Sequence, residues 1–130
     1  MRPSREALEA RIAQLKQEIV SLGADLQPGI LTQQYNVCGK AGCRCKADPP
    51  QRHGPYYQLS FTRQGKSRTQ FVKAADLRLV RRQVRNYQRL RTLVDRWINW
   101  GMKLARLELD RERQARLVSS PKKRGEARIS

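Results

Sequence analysis

The stretch Cys38-Gly39-Lys40-Ala41-Gly42-Cys43-Arg44-Cys45, followed after seven residues by His53-Gly54-Pro55-Tyr56-Tyr57, governs the reading of this chain. It contains all three cysteines and the single histidine of a protein of 130 residues. Thiolate sulfur and imidazole nitrogen are donors that zinc takes, and four of them make a closed, tetrahedral, structural site. Cys38, Cys43, Cys45 and His53 are therefore expected to bind Zn2+. Glycines among the ligands let the backbone fold around an ion so that several N–H groups point at sulfur. Lys40, Arg44 and Lys46 stand beside the cysteines, where positive charge favours the thiolate form and with it metal binding.

Two other readings compete with zinc. The set Cys-x4-Cys-x-Cys-x7-His is not a common finger spacing, and Cys-x-Cys strains tetrahedral geometry more than Cys-x2-Cys would. One competitor is three buried or idle cysteines next to a loop histidine. The other is a Cys/His nucleophile, which needs an oriented pair and an oxyanion donor. A disulfide framework is not expected, because three cysteines cannot all pair and two are separated by one residue. Reduced thiols point to the cytoplasm.

Around the ligands, residues 27–73 read as a zinc loop and a β-hairpin. Gly29, Gly39, Gly42, Pro49, Pro50, Gly54 and Pro55 punctuate Gln27 to Pro55, which excludes a helix and leaves tight loops. From Tyr56 to Val72, Tyr57, Leu59 and Phe61 alternate with Gln58, Ser60 and Thr62. After a turn containing Gly65, Ser67, Thr69 and Phe71 oppose Arg68, Gln70 and Val72. Two strands alone are barely stable in water, so the zinc loop and a helix are expected to cover their apolar face.

Residues 1–26 read as a heptad helix. Leu8, Ile12, Leu15, Ile19 and Leu22 follow one another at spacings of 4, 3, 4 and 3, the seam of a coiled coil. Pro3 and Ser4 are suited to start this helix and Gly23 to end it. A helix of this length is marginal alone, so the seam must bury itself on another helix of the chain or on a second copy in a homodimer. Residues 74–118 read as a long basic amphipathic helix or helical hairpin. Val80, Val84, Tyr87, Val94, Ile98, Gly101 and Ala105 lie on its apolar stripe, widened by Leu77, Leu90, Trp97 and Leu104. Asn99-Trp100-Gly101 is the point where it could bend or break. Residues 119–130 read as a flexible basic tail. The expected fold class is mainly α: an N-terminal coiled-coil helix, a Cys3His zinc loop with a small β-hairpin, and a long C-terminal helix.

Charge then limits the partners. Lysine and arginine number 28 against 11 acids, a formal net charge of +17. Residues 1–30 are neutral, with four basic and four acidic groups, and every later segment is basic. Such a field concentrates polyanions, so nucleic acid leads and an anionic membrane surface follows. At about 100° per residue, Arg78, Arg82, Arg85, Arg89 and Arg96 fall within roughly 60° of one another, opposite the apolar stripe. Guanidinium groups bind phosphate oxygens in pairs and release counterions as they do so. Arg63, Lys66 and Arg68 at the hairpin tip can reach a phosphate backbone as well, and Lys40, Arg44 and Lys46 on the loop are counted with them as nucleic-acid-binding residues. The sequence has no run of 18 apolar residues and no signal-peptide pattern at its start, so a soluble protein without a membrane partner is expected. The hydrophobic share of 38% suggests a thin core.

The two blocks quoted first, together with Lys66-Ser67-Arg68-Thr69 and Asn86-Tyr87, resemble a small family of bacterial and phage proteins. That family is a domain of unknown function marked by CGKxxCxC followed by HGPYY. The resemblance covers about Gln33 to Leu109. It implies a zinc-ribbon-like element joined to a helical hairpin, and genes often near mobile elements, with no catalytic activity to carry over. The N-terminal heptad helix and the basic tail are departures from it.

These readings converge on a noncatalytic, zinc-containing nucleic-acid-binding protein, DNA placed before RNA, acting as an accessory or regulatory subunit of a mobile-element or phage system. The alternative is a coiled-coil adaptor that recruits a larger enzyme. With the one histidine assigned to metal and few acids outside helices, no acid–base pair suggests itself.

Overall fold

A computed structural model describes residues 3–119. In order, it contains helix α1 (Arg5–Val20), strands β1 (Ile30–Asn36), β2 (His53–Arg63) and β3 (Lys66–Val72), and helix α2 (Leu77–Ser119). Single 3₁₀ turns at Arg44–Lys46 and Ala74–Asp76 precede β2 and α2. The tail from residue 120 onward lies outside the described residues.

The strands form one antiparallel sheet in the order β1-β2-β3. The hairpin of β2 and β3 follows the expected alternation and closes through Gln64 (φ 52°) and Gly65 (φ 78°). Two positive φ angles make the turn whose twist matches that of the strands, and glycine takes one of them without steric cost. Leu59 is buried at 3% exposure on the inner face, in register with Leu31 on one side and Gln70 on the other. On the outer face, Thr32, Gln58 and Phe71 stand in one row, and Gln34 and Tyr56 in the next.

Strand β1 corrects the expectation of loops alone between Gln27 and Pro55, and sheet and helix together replace the mainly α fold. Its residues Ile30-Leu31-Thr32-Gln33-Gln34-Tyr35 are compatible with an extended strand, but the partner that stabilises them is distant in sequence. Ile30 pairs with Ser60, and Asn36 with His53. An edge strand with such pairing leaves little local signal.

By compactness the chain divides into two units. One takes α1 together with α2 from Arg91 onward; the other is Leu22–Leu90. In the first, Ser4 caps α1 by accepting a hydrogen bond from the Ala7 N–H at 3.2 Å. Leu8, Ile12 and Leu15 are buried, while Ile19 is half-buried. Of the two coverings open to this seam, the structure has the one within the chain. Arg5 Nε meets Glu108 at 2.7 Å, the Arg11 guanidinium lies 4.5 Å from the Trp100 ring centre, and Lys16 lies 5.0 Å from that of Trp97. The helices thus run antiparallel here. Leu93 is the fully buried member of α2, at 0% exposure, whereas Val94, placed in the seam by heptad counting, is 38% exposed. The helix continues through Asn99-Trp100-Gly101 without a break. One glycine costs only about 1 kcal/mol in a helix.

In the second unit, the backbone N–H of Gln27 donates to the Gln83 carbonyl at 3.1 Å, and Gln83 Nε2 donates to Asp25 at 3.1 Å. Its buried apolar side chains, among the described residues, are Cys45, Leu59 and Val84. So small a core needs a further source of stability, which bound metal supplies in small domains.

Candidate metal centre

Strands β1 and β2 bring the four donors together. Asn36 is the last paired residue of β1 and faces His53, the first residue of β2, across an irregularity in register after Gln34. Cys38 follows two residues beyond Asn36, so it emerges beside His53. Between them the chain turns back on itself through backbone bonds from Cys43 N–H to the Lys40 carbonyl (3.4 Å) and from Lys46 N–H to the Cys43 carbonyl (2.9 Å). Gln51 N–H donates to the Arg44 carbonyl at 3.0 Å and fastens the far side of the loop.

Gly54 explains why the strand can start where it does. Its φ is +136°, and a Cβ there would lie 2.8 Å from the Gln34 carbonyl oxygen and 3.0 Å from the Tyr35 ring. Gly54→Ala is expected to cost about 2 kcal/mol through backbone strain and this contact, and to weaken metal binding by displacing the adjacent His53. Thermal melts and a competitive metal titration check it; an unchanged melting temperature would remove Gly54 from the account.

The ligand atoms of Cys38, Cys43, Cys45 and His53 all lie within 4.8 Å of one another. The Sγ atoms of Cys38 and Cys45 are 3.5 Å apart, too far for a disulfide, and Cys43 Sγ lies 3.1 Å from His53 Nε2. Zinc bonds of about 2.3 Å to sulfur and 2.0 Å to nitrogen at tetrahedral angles require sulfur pairs about 3.8 Å apart and sulfur–nitrogen pairs about 3.5 Å apart. The Cys38–Cys45 and Cys43–His53 pairs lie within a few tenths of an ångström of these spacings. These four residues can hold a metal.

The electrostatics prepare the site unevenly. The backbone N–H of Cys45 is the largest influence on the Cys43 thiol, followed by hydrogen bonds with the Cys38 and Cys45 side chains; together they lower its pKa from 9.0 to about 6. Burial pushes the Cys45 thiol up instead. Cys45 is 1% exposed, and its sulfur accepts a hydrogen bond from the Cys38 N–H at 3.4 Å. Lys40, Arg44 and Lys46 are exposed around the loop. The Cys45 backbone amide, rather than the cations that the sequence brings to notice, does most to favour the Cys43 thiolate.

The other basic residues singled out in the sequence are also at the surface. Arg63 and Lys66 flank the β2–β3 turn, and Arg68 follows on β3; all three lie on the Leu59 side of the sheet by register. Arg78, Arg82, Arg85 and Arg89 are exposed on the part of α2 in the Leu22–Leu90 unit, and Arg81, missed by the sequence reading of that face, is exposed among them. Arg96 belongs to the other unit, where it lines a groove with Arg11, Gln14, Leu15, Glu18 and Trp100. Asp25 reaches Arg82 at 3.4 Å. Hydrogen bonding from Gln83, then its own backbone and Arg82, hold the Asp25 carboxyl below its usual range. No local pattern could reveal an acid so far from Arg82 in the chain.

Residues 5–82 match the family described as "Domain of unknown function (DUF6788)". The chain belongs to that family. The DUF6788 match takes in α1, the four donors, the whole sheet and the start of α2. No curated protein and no solved structure shows detectable similarity to it. Among the described residues, no helix of this DUF6788 chain is long and apolar enough to cross a membrane.

Proposed function

We propose that this DUF6788 protein is a noncatalytic, zinc-containing nucleic-acid-binding protein, DNA before RNA, and a cytoplasmic accessory or regulatory subunit of a mobile-element or phage system. The carrying observation is on α2. Between Leu77 and Leu90 it has five arginines and no acid, and all five are exposed. One isolated basic residue serves solubility, but five on one side of this stretch, in a chain of net charge +17, form a phosphate-binding surface. Zinc is the metal that three thiolates and an imidazole select in a closed site. It holds the loop and the start of β2, and no step of chemistry is assigned to it.

Binding to a fluorescently labelled duplex should weaken by a factor on the order of 10³ or more between about 50 and 200 mM salt. Replacing Arg78, Arg81 and Arg85 together with alanine should reduce the slope of log affinity against log salt by about 2 to 3. Binding that ignores salt would sink the proposal.

A second reading has its own observation. Val94, Ile98, Met102 and Leu109 are exposed along one side of α2, at helical spacing. This stripe suits an adaptor that recruits a larger enzyme through helix–helix contact. Co-purification that persists after nuclease treatment, and is lost in Ile98→Asp, favours it over the first reading.

A further inference from the structure

We infer that the outer face of the sheet is a stacking platform for an unpaired nucleic-acid strand, with Tyr56 and Phe71 as its base-stacking groups. This rests on the nucleic-acid reading above and names the form of nucleic acid bound. Phe71 is 75% exposed and Tyr56 41% exposed, in adjoining rows of the same face. An aromatic ring in a strand normally lies against the core; here Leu59 takes the buried face and both rings lie on the other.

The surroundings select the occupant. Between and beside the rings stand Thr32, Gln34 and Gln58, whose amides and hydroxyl can bond to base edges. No charged residue occupies a paired position on this face. Lys73, still extended at ψ 146°, continues the outward alternation just past Phe71 and is exposed. Bases therefore meet neutral ground while a phosphate meets Lys73 at the rim, the division that single-strand binding uses. A protein partner fits less well. Three strands about 4.8 Å apart and seven residues long span only a few hundred Å2, against roughly 800 Å2 per partner in a stable interface. The same length suits about three or four nucleotides. A duplex keeps its bases stacked inside and offers the rings nothing.

The test measures anisotropy of a labelled oligo-dT of about ten nucleotides, an oligo-U of equal length and a duplex. Wild-type protein should bind both single strands, oligo-dT at least as tightly as oligo-U, since stacking itself does not engage the sugar. Phe71→Leu and Tyr56→Leu should each weaken single-strand binding about tenfold, with the salt slope and duplex binding unchanged. Phe71→Trp should restore or tighten it. Circular dichroism and melting should show both leucine variants folded, as expected for exposed positions. If the leucine variants bind single strands like wild type while the triple arginine replacement weakens binding, the platform is wrong and the nucleic-acid reading stands. If wild-type protein binds none of the three, both fall.

Discussion

Cys45→Ser is expected to abolish tight zinc binding and to lower the melting temperature by on the order of 10 °C or more. Of the three cysteines it is the buried one, at 1% exposure, and its sulfur sits against both Cys38 Sγ and the Cys38 N–H. A serine hydroxyl does not ionise in this range and is a poor zinc ligand. It would also leave a polar group in the space that the thiol fills. The unit that holds the site has few buried apolar side chains, so metal binding would be expected to contribute a large part of its folding free energy. Metal analysis of desalted protein should find about one zinc per wild-type chain and almost none in the variant. A chelator added to wild-type protein should bring its melt down to that of the variant. A Cys45→Ser protein that keeps its zinc and its melting temperature would refute the metal centre.

The pH dependence of zinc affinity has a definite sign. The ion binds thiolates, so each proton it must displace makes the apparent affinity rise with pH. Burial raises the Cys45 pKa above 9.0, so a binding zinc ion would have to expel its proton throughout the neutral range. Cys43, lowered to about 6, adds a further proton only as the pH falls through that value. Affinity should therefore climb from pH 6 toward 9 and fall more steeply below about 6.

Leu93→Ala should cost about 3 kcal/mol, the second large effect. Leu93 is fully buried in the unit where Leu8, Ile12 and Leu15 of α1 are also buried. Removing three carbons leaves a cavity that helices held by their termini and by ring contacts cannot readily close. The matched control is Val94→Ala, one residue away and 38% exposed, which should cost less than about 1 kcal/mol. Urea unfolding of the two variants decides it: equal losses would mean that the packing of α1 on α2 is not as described.

The donor set was legible because it is compositional: every cysteine and the one histidine occur in one glycine-rich stretch. The β2–β3 hairpin was legible because alternation of Tyr57, Leu59 and Phe61 is a period-two signal and Gly65 marks the turn. The seam of α1 was readable to Leu15, since heptad spacing places Leu8, Ile12 and Leu15 on one side whatever covers them. Strand β1 was not, because Ile30 to Asn36 gains its hydrogen bonds from residues more than fifteen positions away. Nor was the exposed setting of Phe71, because strand alternation says which residues share a face and not which face meets solvent.

Spacing and residue type were enough to name the four candidate donors, the hairpin with its turn and an amphipathic α1, since each follows from local geometry and donor chemistry. Three features depended on chain segments meeting: β1 pairing with β2, which sets His53 beside Cys38; Asp25 engaging Arg82; and the choice of Leu93 over Val94 for burial. α2 carries apolar residues around much of its circumference, so its sequence permits several buried faces. Where α1 packs determines which one is removed from water. Long-range contacts of this kind depend on the closure of chain loops and on burial against a partner surface, and a single linear pattern contains neither.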